Sequence, residues 1–507
     1  MLKKLLRNAS FSTGSQAANM IVSFVFVPVY IHFLGVVGYG VYSFLMMFFG
    51  WITILHAGMD PAVTKMTAQY VAESNTSRIN PLIAAALIFQ FCVASIIAGA
   101  VMVAGHSLAA FVVKNQVAFL NETRIAVYYA GANIVALMCR NIYIALFMGL
   151  QRYDVSGSCD SVSNFLGSIF SLFVLWLGYG IVGMIIVRLI INVLAIGVLH
   201  RIARRLVPTF RLTLDISKQL VKEIYGYASW VVTGRINRLV VNALPPILIG
   251  KYIGPAGIAY FNISSRLALT VNNLLSSAII VLFPFVSELK ALTATEKIKS
   301  AYLGANRILS LVSAPIYCFG AIFSWGLLYL WLGPKIADNC WELTGLFFIG
   351  YYLSSCTMVP SSFALGLGAV RIIAINATIQ TILIIIVLPW FLKMFGILGA
   401  GLNLILFEVP SIVMVTIITK RIINASSLKY WIKDRLLILF VSAIIFAVFI
   451  PIKRVLWPAV LTRTEMAAYL SVVFMLGMLS YGFVVRRSSL IDQDTKARIA
   501  KLFLKAN

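Results

Sequence analysis

The chain has 507 residues, 61% of them hydrophobic and only 11% charged, with a formal net charge of +25. Soluble domains carry about 25% charged residues, so composition excludes a water-soluble globular protein. The basic excess is then read as membrane orientation, because cytoplasmic loops collect Lys and Arg, and no nucleic-acid partner is expected.

Apolar runs long enough to cross a hydrocarbon core recur from end to end. Fourteen helices are predicted, over 11–34, 38–58, 82–105, 125–149, 156–177, 181–200, 227–250, 257–286, 302–331, 342–366, 372–391, 397–419, 434–452 and 466–485. Lys3, Lys4 and Arg7 precede the first. That segment runs past signal-peptide length without a small-residue cleavage site, so it is expected to remain as a span. It carries Ser12, Gln16, Asn19 and Ser23 at spacings of three and four, one helical face, and Pro28 interrupts it. The motif FLGVVGYGVY (Phe33 to Tyr42) joins spans one and two. Arg140 lies inside span four, Asp160 inside span five and Arg188 inside span six.

Span seven, VVTGRINRLVVNALPPILIG, holds Arg235, Arg238 and Asn242 before the pair Pro245 and Pro246. Span eight holds Asn262, Arg266, Asn273 and Ser277, with Glu288 just beyond it. Arg307 lies near the cytoplasmic end of span nine, where its side chain is expected to snorkel to water. Span twelve holds Glu408. The six cysteines and four histidines form no metal-ligand or disulfide pattern, so no metal site is expected and the cysteines read as small buried hydrophobes.

With the N-terminus inside, cytoplasmic segments hold 27 Lys and Arg, five of them in the loop before span thirteen when Arg435 in the first turn of that span is counted with it, outer loops hold 8, and the remaining six of 41 lie well inside spans. That asymmetry places both termini in the cytoplasm; only the loop from Lys453 to Arg463 runs against it.

The chain also repeats. Gly35 and Gly38 fall on Gly254 and Gly257 at an offset of 219 residues; FMGL from Phe147 falls on ALGL from Ala364 at 217; GIVG from Gly180 falls on GILG from Gly396 at 216. The predicted architecture is an all-α polytopic membrane protein: a six-helix lobe over 1–220, a second over 221–430, and two extra helices with a basic tail over 431–507. Lobes repeated in parallel about an axis normal to the membrane are the arrangement of two-lobed transporters. At the offset of 219, Arg235, Arg238 and Asn242 fall on Gln16, Asn19 and Ser23, so both lobes open with a polar stripe expected to line the gap between them.

A guanidinium at the centre of a bilayer costs roughly 3 kcal/mol on insertion scales and more in simulation. Only Asp160 and Glu408 lie within spans to offset six arginines. Two readings stand. The arginines cap carbonyls freed by Pro245 and Pro246, or pair with Asp160, Glu288 or Glu408; or they await an anionic substrate, for which the planar fork of Arg suits phosphate.

At the opening basic stretch and polar first helix, at FLGVVGYGVYSF, LHAGMDPAVTKMTAQYVAE, IGPAGIAYFNISSRL and LFPFVSEL, the chain resembles the Wzx-type polysaccharide flippases of the multidrug/oligosaccharidyl-lipid/polysaccharide exporter superfamily. The resemblance implies two six-helix lobes around a cationic cavity in a bacterial inner membrane. The implied substrate is an undecaprenyl-diphosphate-linked oligosaccharide, turned to the outer leaflet by alternating access, often on a proton or sodium gradient and with no bound cofactor. It further implies working beside a polysaccharide polymerase and a chain-length regulator. Arg235, Arg238, Arg266, Arg140, Arg188, Gln16, Asn19, Asn242 and Asn273 are then the cavity residues. Glu408, Asp160 and Glu288 are the ion-coupling candidates. Where relatives often carry an acid, this chain has His56, followed by Gly58, with Asp60 displaced. The last two helices would hold the polyprenyl tail.

Rival readings are a lipid II flippase, disfavoured because the span from Phe11 to Leu34 has no Arg, and a multidrug exporter, disfavoured by arginines where acids suit organic cations. A membrane polysaccharide polymerase is a third, disfavoured by short outer loops and the lack of catalytic motifs, so no enzyme is expected.

Overall fold

The computed structural model describes residues 2–55, 59–73, 75–113, 116, 119–207, 211, 236–279, 282, 286, 289–290, 295–450 and 462–487. These residues are helical almost throughout and contain no strand. Ten of the described helices are long and apolar enough to cross a membrane, and shorter apolar helices cover Leu239–Tyr252 and Leu437–Ala447. The chain is a multi-pass, all-α membrane protein.

In chain order the helices are α1 (Leu2–Leu55), α2 (Met59–Ala72), α3 (Ile79–Val103), α4 (Gly105–Val113), α5 (Leu120–Gly149), α6 (Tyr153–Trp176), α7 (Gly180–Leu206), α8 (Ile236–Tyr252) and α9 (Pro255–Ile279). They continue with α10 (Thr295–Ile322), α11 (Ser324–Leu332), α12 (Pro334–Gly366), α13 (Val370–Phe395), α14 (Leu398–Phe407), α15 (Val409–Ile417), α16 (Ser427–Trp431), α17 (Leu437–Ala447) and α18 (Arg463–Arg487). Two π-helical turns, Ile418–Ile422 and Ile432–Leu436, flank the link between α15 and α17. Where the predicted spans fall on described residues they are helical, with shifted ends. Two short helices, α2 and α4, form where the sequence suggested connections, and predicted span nine divides at Phe323 into α10 and α11.

Helix breaks carry the repeat. Predicted spans one and two form the single run α1, interrupted at Gly35 with φ 66° and ψ 175°. Gly254, its counterpart at the offset of 219, has φ 106°. The ends of α5 and α12 match at 217: Gln151 and Gly368 follow them with φ of 57° and 80°. Gly180, which opens α7, and Gly396, two residues before α14, match at 216 and have φ of 55° and 57°. A positive φ costs glycine little and other residues more, so the spaced glycines of the sequence repeat are the spaced turns of the fold.

Helix contacts gather the chain into two units, Met1–Ala259 and Tyr260–Asn507. In the first, α5 packs on α2, α3 and α7, α1 packs on α6, and α8 packs on α1. Ile83, Ile142, Phe147 and Leu199 meet in its core. In lipid the drive for such packing is close contact, which favours small residues. A Cβ on Gly149 would lie 2.6 Å from the Thr67 side chain and 2.8 Å from the Thr64 carbonyl. In the second unit, α12 packs on α10 and α14, α13 on α14, α17 on α10 and α18 on α11.

One basic residue assigned by sequence to the loop before span thirteen is not in a loop. Arg435 lies in the second π-turn and is 1% exposed. Its Nε donates to the Tyr430 hydroxyl at 3.0 Å and its Nη2 to Asn306 Oδ1 of α10 at 2.7 Å. Thr419, in the first π-turn, meets the Tyr302 hydroxyl of α10 at 2.6 Å. Both irregular turns thus present polar side chains to one face of α10, and the guanidinium has only neutral partners among the described residues. Arg435→Ala strips the donors from Asn306 and opens a cavity, which is expected to cost about 2–4 kcal/mol. Arg435→Met keeps the volume and should cost less. The melting temperature of the purified protein in one detergent reads that order.

Candidate functional site

The first unit buries a chain of polar side chains across α1, α5, α6 and α7. Arg140 of α5 pairs with Asp160 of α6, and its Nη1 donates to Asn192 Oδ1 of α7 at 3.2 Å. Asn192 in turn donates to Asn133 Oδ1 of α5 at 2.9 Å. The Arg140 side chain is 8% exposed and that of Asp160 42%, so the carboxylate is the open end of the pair. One turn further, Arg188 Nη1 donates to Asn164 Oδ1 at 3.2 Å, and Asn164 donates to Asn19 Oδ1 of α1 at 3.2 Å. Helical spacing builds both relays: Asp160 and Asn164 are four apart on α6, Arg188 and Asn192 four apart on α7.

Arg188 differs from Arg140. It has no carboxylate partner among the described residues, while both arginines leave a buried Nε without a hydrogen bond. Gly167 makes room for it: a Cβ there would lie 2.7 Å from Nη1. Nearby on the α1 and α6 faces, the Tyr30 hydroxyl lies among the hydroxyls of Ser168 and Ser171. A buried donor left unmade costs about 1–3 kcal/mol, so the idle Nε of Arg188 marks a place where a further acceptor belongs.

The second unit holds a separate polar cluster. Predicted span twelve breaks at Glu408, which ends α14 and precedes α15. Pro410 explains the break: it cannot donate to the preceding turn and disfavours the helical conformation of Val409. Glu408 is 4% exposed, beside the hydroxyls of Ser411 and Ser354. Ser411 Oγ accepts from Gln380 Nε2 at 2.9 Å and Asn376 Nδ2 at 3.2 Å, both on α13. Its own proton is therefore free for the carboxylate, and Asn376 Oδ1 is left without a partner.

The structure brings Arg140, Asp160, Arg188 and Asn19 of the predicted site together, and sets Glu408 apart in the other unit. Asp160 pairs with Arg140. Arg266 is half-buried on α9, and Asn242 and Asn273 are exposed on α8 and α9. Arg307, expected to reach water, is instead buried at 6% exposure, well inside α10. Arg235, Glu288, His56 and Gly58, and the side chains of Gln16 and Arg238, lie outside the described residues. Asn133, Asn164, Gly167 and Asn192 were not singled out by sequence. Their i, i+4 spacing from Asp160 and Arg188 is the signal that pointed to two of them. No group of three or more His, Cys, Asp or Glu able to hold a metal occurs among the described residues. The cysteines are free, and Cys92 is exposed where burial was expected.

The described residues form an all-helical, multi-pass membrane protein in two units, with charged relays inside its spans. The fold superposes on the lipid II flippase MurJ in an inward closed conformation with a TM-score of 0.73 at 15% identity, covering 95% of this chain and 99% of that one. It superposes on an inward-facing multidrug resistance MATE family transporter with a TM-score of 0.63 at 16% identity, covering 82% and 94%. In sequence, residues 5–290 match the profile of the family described as polysaccharide biosynthesis protein. A candidate O-antigen transporter of Shigella flexneri is 18% identical over 73% of this chain and 87% of its own length. An uncharacterised membrane protein of Methanocaldococcus jannaschii is 23% identical over 72% and 74%. The chain belongs to the polysaccharide biosynthesis protein family.

Removing Asp160 leaves the buried Arg140 guanidinium without its counter-charge, which costs about 1–3 kcal/mol, less than for a fully buried pair because the carboxylate end is open. Asp160→Ala is expected to lower the melting temperature, and the double variant Asp160→Ala with Arg140→Leu to recover most of the loss. Additive losses in that cycle would mean that the pair is not formed in the folded protein.

Proposed function

We propose that this protein is a flippase that turns a polyprenyl-diphosphate-linked oligosaccharide from the cytoplasmic to the outer leaflet of a bacterial inner membrane by alternating access. The observation that carries this reading is Arg188, a guanidinium inside a span with an unsatisfied Nε and no acid among the described residues. A half-buried cation inside a span, held by the single amide of Asn164, favours an anion entering beside it, and a diphosphate offers the paired oxygens that Arg binds best. Asn19 and Asn164, joined to each other and to Arg188, would orient the headgroup. Arg235, Arg238 and Arg266, with Gln16, Asn242 and Asn273, would extend the cationic path. Arg140 would join it only when Asp160 lets go.

The driving ion, a proton or sodium, would act at the carboxylates. Asp160 is the more open; protonating it weakens its hold on Arg140 and raises the positive charge facing the substrate. Glu408 is the more enclosed, at a broken helix where backbone and side-chain oxygens are available to a cation. Glu288 is the third candidate. The ligand shifts the two access states only as far as its affinity for them differs. No bond is made or broken in the cycle. A polysaccharide polymerase and a chain-length regulator would take over the product outside. The extra pair α17 and α18 would guide the polyprenyl chain.

The test is a deletion strain in which polyprenyl-linked glycan on the inner leaflet is quantified, then complemented. Wild type should clear the accumulated repeat units. Arg188→Ala, expressed equally, should clear them roughly ten- to a hundredfold more slowly, the loss expected for one charge-assisted contact. Arg188→Lys should recover part of the rate if charge matters more than the fork. Repeat units that reach the outer leaflet in the deletion strain and merely fail to polymerise would place the protein after translocation and sink the reading. Clearance of lipid II and not of surface-polysaccharide units would move the substrate to peptidoglycan.

A further inference from the structure

The same two helices that hold Arg188 carry an apolar groove of about 490 Å³ on another face. Its floor is Ala195 and Leu199, 7% and 0% exposed, and its rims are the exposed side chains of Val162, Leu166, Leu194 and Val198. It runs along α6 from Asp154 to Leu166. Twelve residues of helix rise about 18 Å, close to the roughly 15 Å depth of one leaflet of a 30 Å hydrocarbon core. The groove therefore starts at one membrane face and ends near the midplane.

Its mouth is charged in a particular way. Asp154 at the lining is already neutralised by Arg152, whose Nη2 donates to it at 2.8 Å. Arg201 and Arg205 follow Val198 and Ile202 by three residues each, so they stand one turn beyond the lining positions of α7. Both are exposed, and neither has a hydrogen bond or ion pair among the described residues. The basic excess marks this face as cytoplasmic.

We propose that this groove is a binding site for an anionic glycerophospholipid of the cytoplasmic leaflet, with one acyl chain lying between α6 and α7 and its phosphate at Arg201 and Arg205. The shape takes a chain that stops at the midplane; an undecaprenyl tail would outrun it. The charge takes a phosphate, since the one acid at the mouth is spent on Arg152. The site is distinct from the polar relays and does not depend on which substrate is flipped. A lipid held there would be a resident component of the first unit, packing where no protein side chain fills the space between the helices.

The experiment uses the full-length protein in vesicles of phosphatidylglycerol and phosphatidylcholine, each spiked in turn with a photoreactive diazirine-chain version of one lipid, and maps adducts by mass spectrometry. Adducts from the phosphatidylglycerol probe should concentrate on 158–166 and 194–202 relative to Ile382 and Ile386, exposed apolar positions on α13. They should fall roughly tenfold in the double variant Arg201→Glu, Arg205→Glu, as expected for two basic residues facing an anionic headgroup. Val198→Trp should displace the chain while leaving the arginines in place. Equal labelling of α6, α7 and α13 by both probes would show ordinary annular lipid and overturn the proposal. So would selective labelling by a photoreactive polyprenyl phosphate added at the same fraction, which would make the groove part of the substrate path.

Discussion

Hydrocarbon leaves a polar group nothing to bond except protein, and the rest of this structure follows from that constraint. Peptide groups satisfy it by helices throughout the described chain. Side chains satisfy it by relays: Arg140 with Asp160 and Asn192, Asn192 with Asn133, Arg188 with Asn164, Asn164 with Asn19. Each relay is built from residues four apart on neighbouring helices, so the helical period that satisfies the backbone also lines up the amides that satisfy the charges.

The constraint also sorts the arginines by their partners. Arg140 has a carboxylate. Arg435 has none among the described residues, but three neutral acceptors and full burial between π-turns and α10 hold it as a fixed part of the second unit. Arg188, half-buried, has the amide of Asn164 and no carboxylate among the described residues. Each of the three leaves one nitrogen idle, Arg140 Nε, Arg188 Nε and Arg435 Nη1, so they differ in the charge and number of their partners and not in being completely satisfied.

The sequence carried the architecture further than the site. Glycine spacing gave the repeat, because a left-handed turn needs glycine wherever it occurs: Gly35 with Gly254, and Gly180 with Gly396, share their positive φ. The third pair shows the limit. Gln151 stands where the second copy has Gly368, so conformation was kept while the residue signature was lost. Charged residues in apolar runs were equally visible, since few survive there without a use. Pairing was not visible. Asp160 was a partner candidate for the arginines of span seven, and only the packing of α5 against α7 and α6 gives it to Arg140. Arg435 was misplaced because hydropathy sees a basic residue beside Lys433 as loop. The neutral acceptors that allow its burial, Asn306 and Tyr430, come from a distant helix and from the link itself.

Glu408 shows how a local defect and a buried charge require each other. A continuous helix through span twelve would satisfy its own backbone and leave a carboxylate facing apolar neighbours. Pro410 breaks that continuity, and the turn around Glu408 brings Ser411 close enough to offer its proton while Asn376 and Gln380 of α13 occupy its lone pairs. The cluster is thereby nearly balanced, with Asn376 Oδ1 left over. A cation or proton entering would meet a carboxylate and an amide oxygen already pointed inward and would need no new backbone break to reach them. In the first unit the surplus is the reverse, a donor at Arg188 without an acceptor. The unmet groups of the two clusters are therefore of opposite kind, an amide acceptor beside Glu408 and a guanidinium donor at Arg188.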